Sequence, residues 1–532
     1  MKNAAIGPDG RVVTFIDMGT NSIRLFVVRL NPNHSYTILT RQKQQVRLGE
    51  GESENDEIIP QALERAVVVT KTFTDLARTF HSEEFVAVAT SAAREASNQN
   101  ELLHRIRQEA GLDVRVISGR EEARLIYLGV VSGIQIGNRK GFFIDIGGGS
   151  TEVALGDARD YQYLDSFRLG AIRLSNMYCT TDNRGVVSPE QCKKIRHHVR
   201  DAIIHALPAI QKIAPDCAVG SSGTIINLAE IASKALHNAN GSSLHGTSQV
   251  LTYRDLRSVI DLLSPLTLEQ RRKVPGINPE RADIIIPGAI VLETFMKELS
   301  LDEIAITGRG LQDGLLVDYL SRIDNFPLLG ELSSRQRSVL QLGRSCGINE
   351  VHARTVTSLV LEMFDSAKDQ ELHDFSDSER ELMEYAAFLH DIGSFISYTN
   401  HHAHSYYIIR NSELPGFNER EVRFVATLAK FHRKKSPKKK DPEITDLDAR
   451  EQGALLLLSS FLRLGESLDR SHAALIQQVR FSSVDEKTAR LEIIARGDCQ
   501  LELWGIESEK RAFEKAFGKR LVFEIINAQR AC

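Results

Sequence analysis

FIDMGTNS (residues 15–22) and FIDIGGGST (residues 143–151) decide how this chain is read. Each is an apolar, strand-like run that ends in an aspartate, enters a Gly-containing turn and leaves it through a hydroxyl residue. Two copies a domain's length apart are the mark of an internal duplication, hence two similarly folded lobes facing each other. A third Gly/Ser turn, AVGSSGT (residues 218–224), again leads from a strand-like stretch into a helix-like one, IINLAEIASKAL.

Outward from these turns, strand and helix patterns alternate. RVVTFIDMG and SIRLFVVRL read as strands. PQALERAVVVTKTFTDLARTF reads as a helix, with Pro60 in its first turn and Ala62, Ala66, Val69, Phe73 and Leu76 at three- and four-residue steps. EFVAVAT, NQNELLHRIRQEAG, DVRVIS and GREEARLIYLGVVSG continue as strand, helix, strand, helix, which is an α/β pattern. After about Arg322 helical periodicity takes over, and from Val479 alternation returns in VRFSSV and ARLEIIA. The expected division is residues 1–128 and 129–322 for the two lobes, 323–478 for a helical domain opening at IDNFP, and 479–532 for a small α+β module.

The 532 residues are 42% apolar and 26% charged, the balance of a multidomain globular chain and not of a disordered or fibrous one. A net charge of -4 gives no overall attraction to polyanions, so no nucleic-acid partner is expected and any basic surface must be local. MKNAAIGPDG contains no apolar run of leader length, and the longest apolar stretch, around Leu455 and Leu458, is too short for a bilayer. Six cysteines without a CxxC pair indicate neither a disulfide framework nor a zinc knuckle. These features together predict a soluble, cytoplasmic protein with no membrane partner.

A Gly-rich turn at a strand end presents backbone N–H groups outward and lets the backbone approach a ligand closely, which suits phosphate oxygens. Candidate phosphate donors are Gly19, Asn21 and Ser22, then Gly147, Gly148, Gly149, Ser150 and Thr151, and in the third turn Gly220, Ser221, Ser222, Gly223 and Thr224. Asp17 and Asp145 cannot bind phosphate directly but can hold a hydrated Mg²⁺, or Mn²⁺ in its place, that does. Any one such turn is also what a tight hairpin needs, and the duplication is what favours the phosphate reading. Between the loops lie Arg94, at a strand exit where a guanidinium grips phosphate or merely forms a surface ion pair, and the pair Glu121 and Glu122, suited to orienting and deprotonating water.

DMGTNS, TSAAREA, SGREEARL, IDIGGGSTE and GSSGT, in this order and spacing, resemble the exopolyphosphatase and guanosine pentaphosphate phosphohydrolase family over about the first 315 residues, and LHDIG, GFNERE and FHRKK extend the resemblance beyond. Met18 and Thr20 stand where many relatives have Leu and Ser, and both keep the turn. The resemblance implies ribonuclease-H-like lobes of the actin and sugar-kinase type with the site between them, and a homodimer. It also implies Glu122 as catalytic base with Glu121 beside it, Arg94 on phosphate, and Asp145, Gly147, Ser150 and Glu152 in the metal and phosphate loop. The implied substrates are inorganic polyphosphate or pppGpp, cleaved by water. A non-catalytic alarmone sensor and a sugar kinase are the competing classes.

In the helical region, His352, the His390–Asp391 pair, the histidines of NHHAHSYY including His404, His432 and the distal Asp469 resemble the HD metal-dependent phosphohydrolase superfamily. That resemblance implies a second site for Mn²⁺, Fe²⁺, Ni²⁺ or Zn²⁺, or else a retained scaffold. RKKSPKKKD (residues 433–441) reads as a solvated loop or as a basic path for a long polyanion.

Overall fold

The computed structural model describes residues 6, 8–50, 57–179, 185–237, 250–323, 332–445 and 447–527. In the first lobe the chain runs β1 (Arg11–Met18), β2 (Ser22–Leu30), β3 (Tyr36–Gln45), α1 (Pro60–Thr79), β4 (Glu84–Ala89), α2 (Ser91–Glu95), α3 (Gln99–Ala110), β5 (Val114–Val116) and α4 (Gly119–Gly133). The five strands form one sheet in the order β3-β2-β1-β4-β5, with β1, β2 and β3 antiparallel and β4 and β5 parallel to β1. Both faces of β1 and β2 are covered, so these strands are apolar on nearly every residue, whereas the edge strand β3 is polar and half exposed.

The second lobe repeats this plan. It contains β6 (Gly141–Ile146), β7 (Thr151–Gly156), β8 (Tyr161–Phe167), α5 (Ala171–Tyr178), α6 (Pro189–Ile203), α7 (Leu207–Ile213), β9 (Cys217–Ser221), α8 (Ser222–Ile231), β10 (Val250–Thr252), α9 (Tyr253–Leu263), α10 (Leu268–Arg271), α11 (Ile285–Glu298), β11 (Glu303–Ile306) and α12 (Leu311–Leu320). Its sheet order, β10-β11-β9-β6-β7-β8, is the first lobe's order with β10 added at the edge. This is the ribonuclease-H-like plan in duplicate, with the two Asp-Gly loops at equivalent β1–β2 and β6–β7 turns.

The lobes exchange a helix. Tyr127 of α4 packs its ring on Phe143 of β6 at 5.5 Å and on Tyr161 at 5.8 Å, while Tyr319 of α12 packs on Phe15 of β1 at 5.7 Å. The expected division at 128/129 therefore falls inside the single helix α4, and α12, from the end of the second stretch, covers the first lobe's sheet. α4 and α12 cross in backbone contact: a Cβ on Gly314 would stand 1.8 Å from the Leu125 carbonyl oxygen, and one on Gly129 would stand 2.1 Å from that of Gly310.

Residues 335–532 form a second compact unit, apart from 1–334. The segment IDNFP, expected to open the helical domain, lies from residue 324 onward outside the described residues. Past it come α13 (Ser334–Ser345), α14 (Glu350–Asp369), α15 (Asp377–Leu389), α16 (His401–Asn411), α17 (Glu419–Lys430) and α18 (Ala449–Leu468), then β12 (Ile476–Val484), β13 (Thr488–Ala495), α19 (Gln500–Phe517) and β14 (Arg520–Asn527). The three strands make one sheet, β12-β13-β14. The stretch expected as a separate module shares its core with the helices, because Phe461 of α18 stacks with Phe517 at 5.3 Å and meets Phe481 at 5.9 Å. Among the described residues no helix is long and apolar enough to cross a membrane.

Candidate functional site

Strand register places the chemistry of the first unit. Asp17, one residue before the end of β1, stands opposite Arg24 of β2, and Asp145, at the same place in β6, stands opposite Glu152 of β7. Each loop then closes the same tight turn: the Gly19 N–H donates to the Ser22 carbonyl at 3.0 Å, and the Gly147 N–H donates to the Ser150 carbonyl at 2.9 Å. The loops touch across the lobes. A Cβ on Gly149 would lie 2.6 Å from Ser91 Oγ and 2.7 Å from Thr20 Oγ1, so only glycine permits this approach.

The cleft between them is lined from the first lobe by Asp17, residues 19–22, Arg24, residues 41–43, Thr90, Glu122 and Ile126, and from the second by residues 145–150, Glu152, residues 222–224, Ile226, Arg281, Ile284 and residues 308–313. Most of the expected residues are brought here. The exceptions have clear physical reasons. Thr151 is buried with its hydroxyl donating to the Leu169 carbonyl at 2.6 Å, and Gly220 packs under Ile225 and Ile304. Ser221 donates to Asp145 Oδ2 at 2.5 Å, so it orients a carboxylate instead of a phosphate. Glu121 turns away from the cleft into a two-pronged pair with Arg124 at 2.8 and 2.9 Å, which holds its carboxyl below the usual range.

Glu122, by contrast, is buried and faces the cleft. The α4 N-terminus, capped by the Ser118 hydroxyl accepting from the Glu121 N–H, puts it there. Arg94 Nη1 donates to Glu122 Oε2 at 2.9 Å and to the Ile117 carbonyl at 3.0 Å. The arginine expected on phosphate thus holds the carboxylate in place, leaving the other carboxylate oxygen for the cleft. Burial, opposed by Arg94 and reinforced by Asp17 and Asp145, pushes Glu122 up to about 7. Burial, opposed by Arg24 and reinforced by Asp145, pushes Asp17 up to about 6. Asp145 is raised by burial against its Ser221 bond, and Glu152 is raised well above the carboxylate range by burial and by Glu122.

Asp17, Glu122 and Glu152 are buried, Asp145 raises all three, and Asp17 Oδ1 has no hydrogen-bond partner, which together fit a hard divalent cation such as Mg²⁺ or Mn²⁺. Among the described residues, ligand atoms of three or more His, Cys, Asp or Glu gather within 4.8 Å only in the second unit, so an ion held by Asp17, Asp145 and Glu152 would keep water in its shell, as Mg²⁺ prefers.

Sequence reasoning missed the cleft's cations. Arg24, Arg41, Lys43, Arg281 and Arg309 all line it. Burial together with Arg281 and Arg24 pulls Lys43 down to about 8, and burial together with Arg24 pulls Arg281 down to about 10. One signal was available: ISGREEARL at Ile117 and ITGRGLQDGL at Ile306 are a further repeat, β5 into α4 and β11 into α12. In the same way, the third Gly/Ser turn is the second lobe's counterpart of the β4–α2 turn that carries Arg94, since Val88 pairs with Asp17 as Ser221 pairs with Asp145.

In the second unit, His352, His390, Asp391 and Glu466 form one group of potential ligands, and Asp391, His401 and His432 form another. Asp469, expected as a ligand, is engaged instead on the far side of His352, accepting from Nδ1 at 2.7 Å and, through Oδ1, from the Ala474 N–H at 2.8 Å. His404 lies outside both groups, and His401, one turn earlier on α16, takes its place. The lysines at 434, 435, 438, 439 and 440 are exposed on the loop after α17.

The Ppx/GppA phosphatase family matches residues 26–323, and the domain III of Ppx/GppA phosphatases matches residues 334–510. Among solved structures, an exopolyphosphatase from Cytophaga hutchinsonii is 27% identical, with a TM-score of 0.55 over 59% of this chain and 99% of that one. An exopolyphosphatase-like protein is 26% identical, with a TM-score of 0.52 over 58% of this chain and 98% of that one.

Proposed function

Because the chain belongs to the Ppx/GppA phosphatase family, we propose that this phosphatase acts on inorganic polyphosphate and removes its terminal phosphate with a water molecule activated by Glu122. The observation that carries the choice of substrate is the cation cluster. Burial, then Arg281 and Arg24, pull Lys43 down to about 8, and burial with Arg24 pulls Arg281 down to about 10, an arrangement of cations that a run of phosphates relieves. A guanosine needs a stacking face. Among the described residues that line the cleft none is aromatic, and its apolar members are Ile126, Ile146, Ile226, Ile284 and Leu311. The likeness to an exopolyphosphatase of Cytophaga hutchinsonii supports the same reading.

In the proposed reaction, water attacks the terminal phosphorus in line with the bridging oxygen. Its proton passes to Glu122, the new P–O bond forms, and the bridging P–O bond breaks. The products are orthophosphate and a chain one unit shorter. A base with a pKa near 7 is half ionised at neutral pH, where general-base catalysis is most effective. Arg94 keeps one Glu122 oxygen occupied, so the water has a single defined acceptor. The N–H groups of the two Gly loops and the Ser22 and Ser150 side chains would orient the phosphoryl oxygens, with Arg281 and Lys43 along the rest of the chain. A bound Mg²⁺ or Mn²⁺ would neutralise phosphate charge.

Phosphate release from long-chain polyphosphate and from pppGpp, compared at matched terminal-phosphate concentration, tests the assignment. We expect polyphosphate to exceed pppGpp by about tenfold or more in kcat/KM, a difference of about 1.4 kcal/mol in transition-state stabilisation. The reverse order would make the nucleotide the substrate, and release from neither would leave a sensor.

A further inference from the structure

In the second unit four buried histidines are anchored through Nδ1 and turn Nε2 toward shared carboxylates, in two groups of potential metal ligands that meet at Asp391. His390 Nδ1 donates to the Ala387 carbonyl at 2.7 Å, His401 Nδ1 to that of Tyr398 at 2.9 Å and His432 Nδ1 to that of Ala429 at 2.6 Å. His352 Nδ1 donates to the Asp469 carboxylate at 2.7 Å. A carbonyl or carboxylate oxygen can only accept, so all four rings carry a proton on Nδ1, and Nε2 is the atom each ring has left, to donate to a carboxylate when protonated or to ligate a metal ion when not.

The four Nε2 atoms converge on carboxylate oxygens. His352 Nε2 and His390 Nε2 stand 3.2 and 3.1 Å from Glu466 Oε2. His401 Nε2 and His432 Nε2 stand 3.1 Å from each other, and 3.1 and 3.4 Å from Asp391 Oδ1, which is buried without a hydrogen-bond partner. With Nδ1 protonated on both rings, the contact between His401 Nε2 and His432 Nε2 is repulsive unless a proton or a metal ion sits between them. These separations are those of ligand atoms around a metal ion: a point equidistant from His401 Nε2, His432 Nε2 and Asp391 Oδ1 lies about 1.9 Å from each, within the roughly 2.0–2.2 Å bond lengths of a transition-metal ion slightly out of their plane.

We propose that the second unit binds two divalent transition-metal ions bridged by the Asp391 carboxylate, one held by His352, His390 and Glu466 and the other by His401 and His432. Imidazole nitrogens with carboxylates select Mn²⁺, Fe²⁺, Co²⁺, Ni²⁺ or Zn²⁺ over Mg²⁺ or Ca²⁺. The backbone carbonyls and Asp469 behind the rings are the outer partners that fix a ligating histidine's tautomer and orientation. Five separate segments supply the ligands: α14, the end of α15, the start of α16, the residues after α17 and the last turn of α18. The four histidines are at most 4% exposed, while the Asp391 side chain is 28% exposed and leaves the bridge open to solvent.

The full chain, stripped with chelator, reloaded with Co²⁺ in excess Mg²⁺ and desalted, is read by elemental analysis and by the visible absorption of nitrogen-ligated Co²⁺. Excess Mg²⁺ fills the oxygen-donor site of the first unit, and phosphate release plays no part in the readout, so this test stands or falls apart from the function proposed above. Wild type should retain about two ions per chain, Asp391→Asn fewer than one, and His401→Ala about one. No retained Co²⁺, a single ion in wild type, or unchanged retention in Asp391→Asn would overturn the proposal. If Asp391→Asn fails to fold, as judged by circular dichroism, the wild-type stoichiometry and His401→Ala decide.

Discussion

Replacing Arg94 by alanine separates two roles that an arginine at this strand exit can play. If it holds Glu122, its loss removes a 2.9 Å charge-assisted bond from a buried carboxylate that burial has already pushed up to about 7. A neighbouring guanidinium lowers a carboxyl pKa by about one to three units, and the 20% exposure of the Arg94 side chain favours the low end, so Glu122 should rise by about one to two units. At pH 7 its ionised fraction would then fall from about one half to between about one tenth and one hundredth, a loss of about 5- to 50-fold in turnover. The loss should be recovered as pH rises toward 9, because only the ionised form accepts the proton. The assay is polyphosphate hydrolysis from pH 5.5 to 9.5 at saturating Mg²⁺. A lower rate at every pH, with the acid limb unmoved, would refute the positioning role and assign Arg94 to phosphate.

Other consequences follow from the same geometry. Carboxyl pKa values raised by folding, about 6 at Asp17 and about 7 at Glu122, mean that folding favours the protonated forms, so stability is present at low pH and lost as pH rises through that window. In chelator the melting temperature should fall between pH 5 and pH 8, and added Mg²⁺ should raise it more at pH 8 than at pH 5; thermal shift in the two buffers checks this. Lys43→Gln should raise the KM for long polyphosphate about 10-fold or more, as expected for a lost hydrogen bond to a charged group, and reduce its salt dependence. Gly314→Ala should destabilise the first unit by about 3 kcal/mol or more, because the new Cβ meets the backbone oxygen of Leu125, which cannot yield; the urea midpoint reports it.

The Asp-Gly loops were legible because a duplicated strand end carries its chemistry in contiguous residues, and Glu122 was legible because the resemblance carried by SGREEARL singles out the second glutamate. Arg24, Arg41 and Lys43 were not. Arg24 is a charged position in a mostly buried strand, and the alternation of Arg41 and Lys43 on β3 is that of a solvent-facing edge, which only the neighbouring lobe makes a cleft wall. Glu121 and Glu122 are adjacent in sequence but about 100° apart on a helix, so sequence named both where structure uses one. His401 and His404 share a face of α16 one turn apart, and the sequence does not show which turn reaches the other ligands. Glu466 was overlooked in favour of Asp469 one turn later, because the order of residues shows which side chains can ligate and not which stand behind the ligand. The lobe boundary failed for another reason: helix exchange between α4 and α12 is a property of packing across the whole first unit.

Glu122→Gln bears most directly on the account, because it keeps the shape of the side chain that Arg94 holds and removes its capacity to take a proton. Phosphate release from polyphosphate by this variant, measured beside wild type at pH 7 with Mg²⁺, should fall by about 10²-fold or more. Turnover within a few-fold of wild type would contradict the assignment of Glu122 as the base.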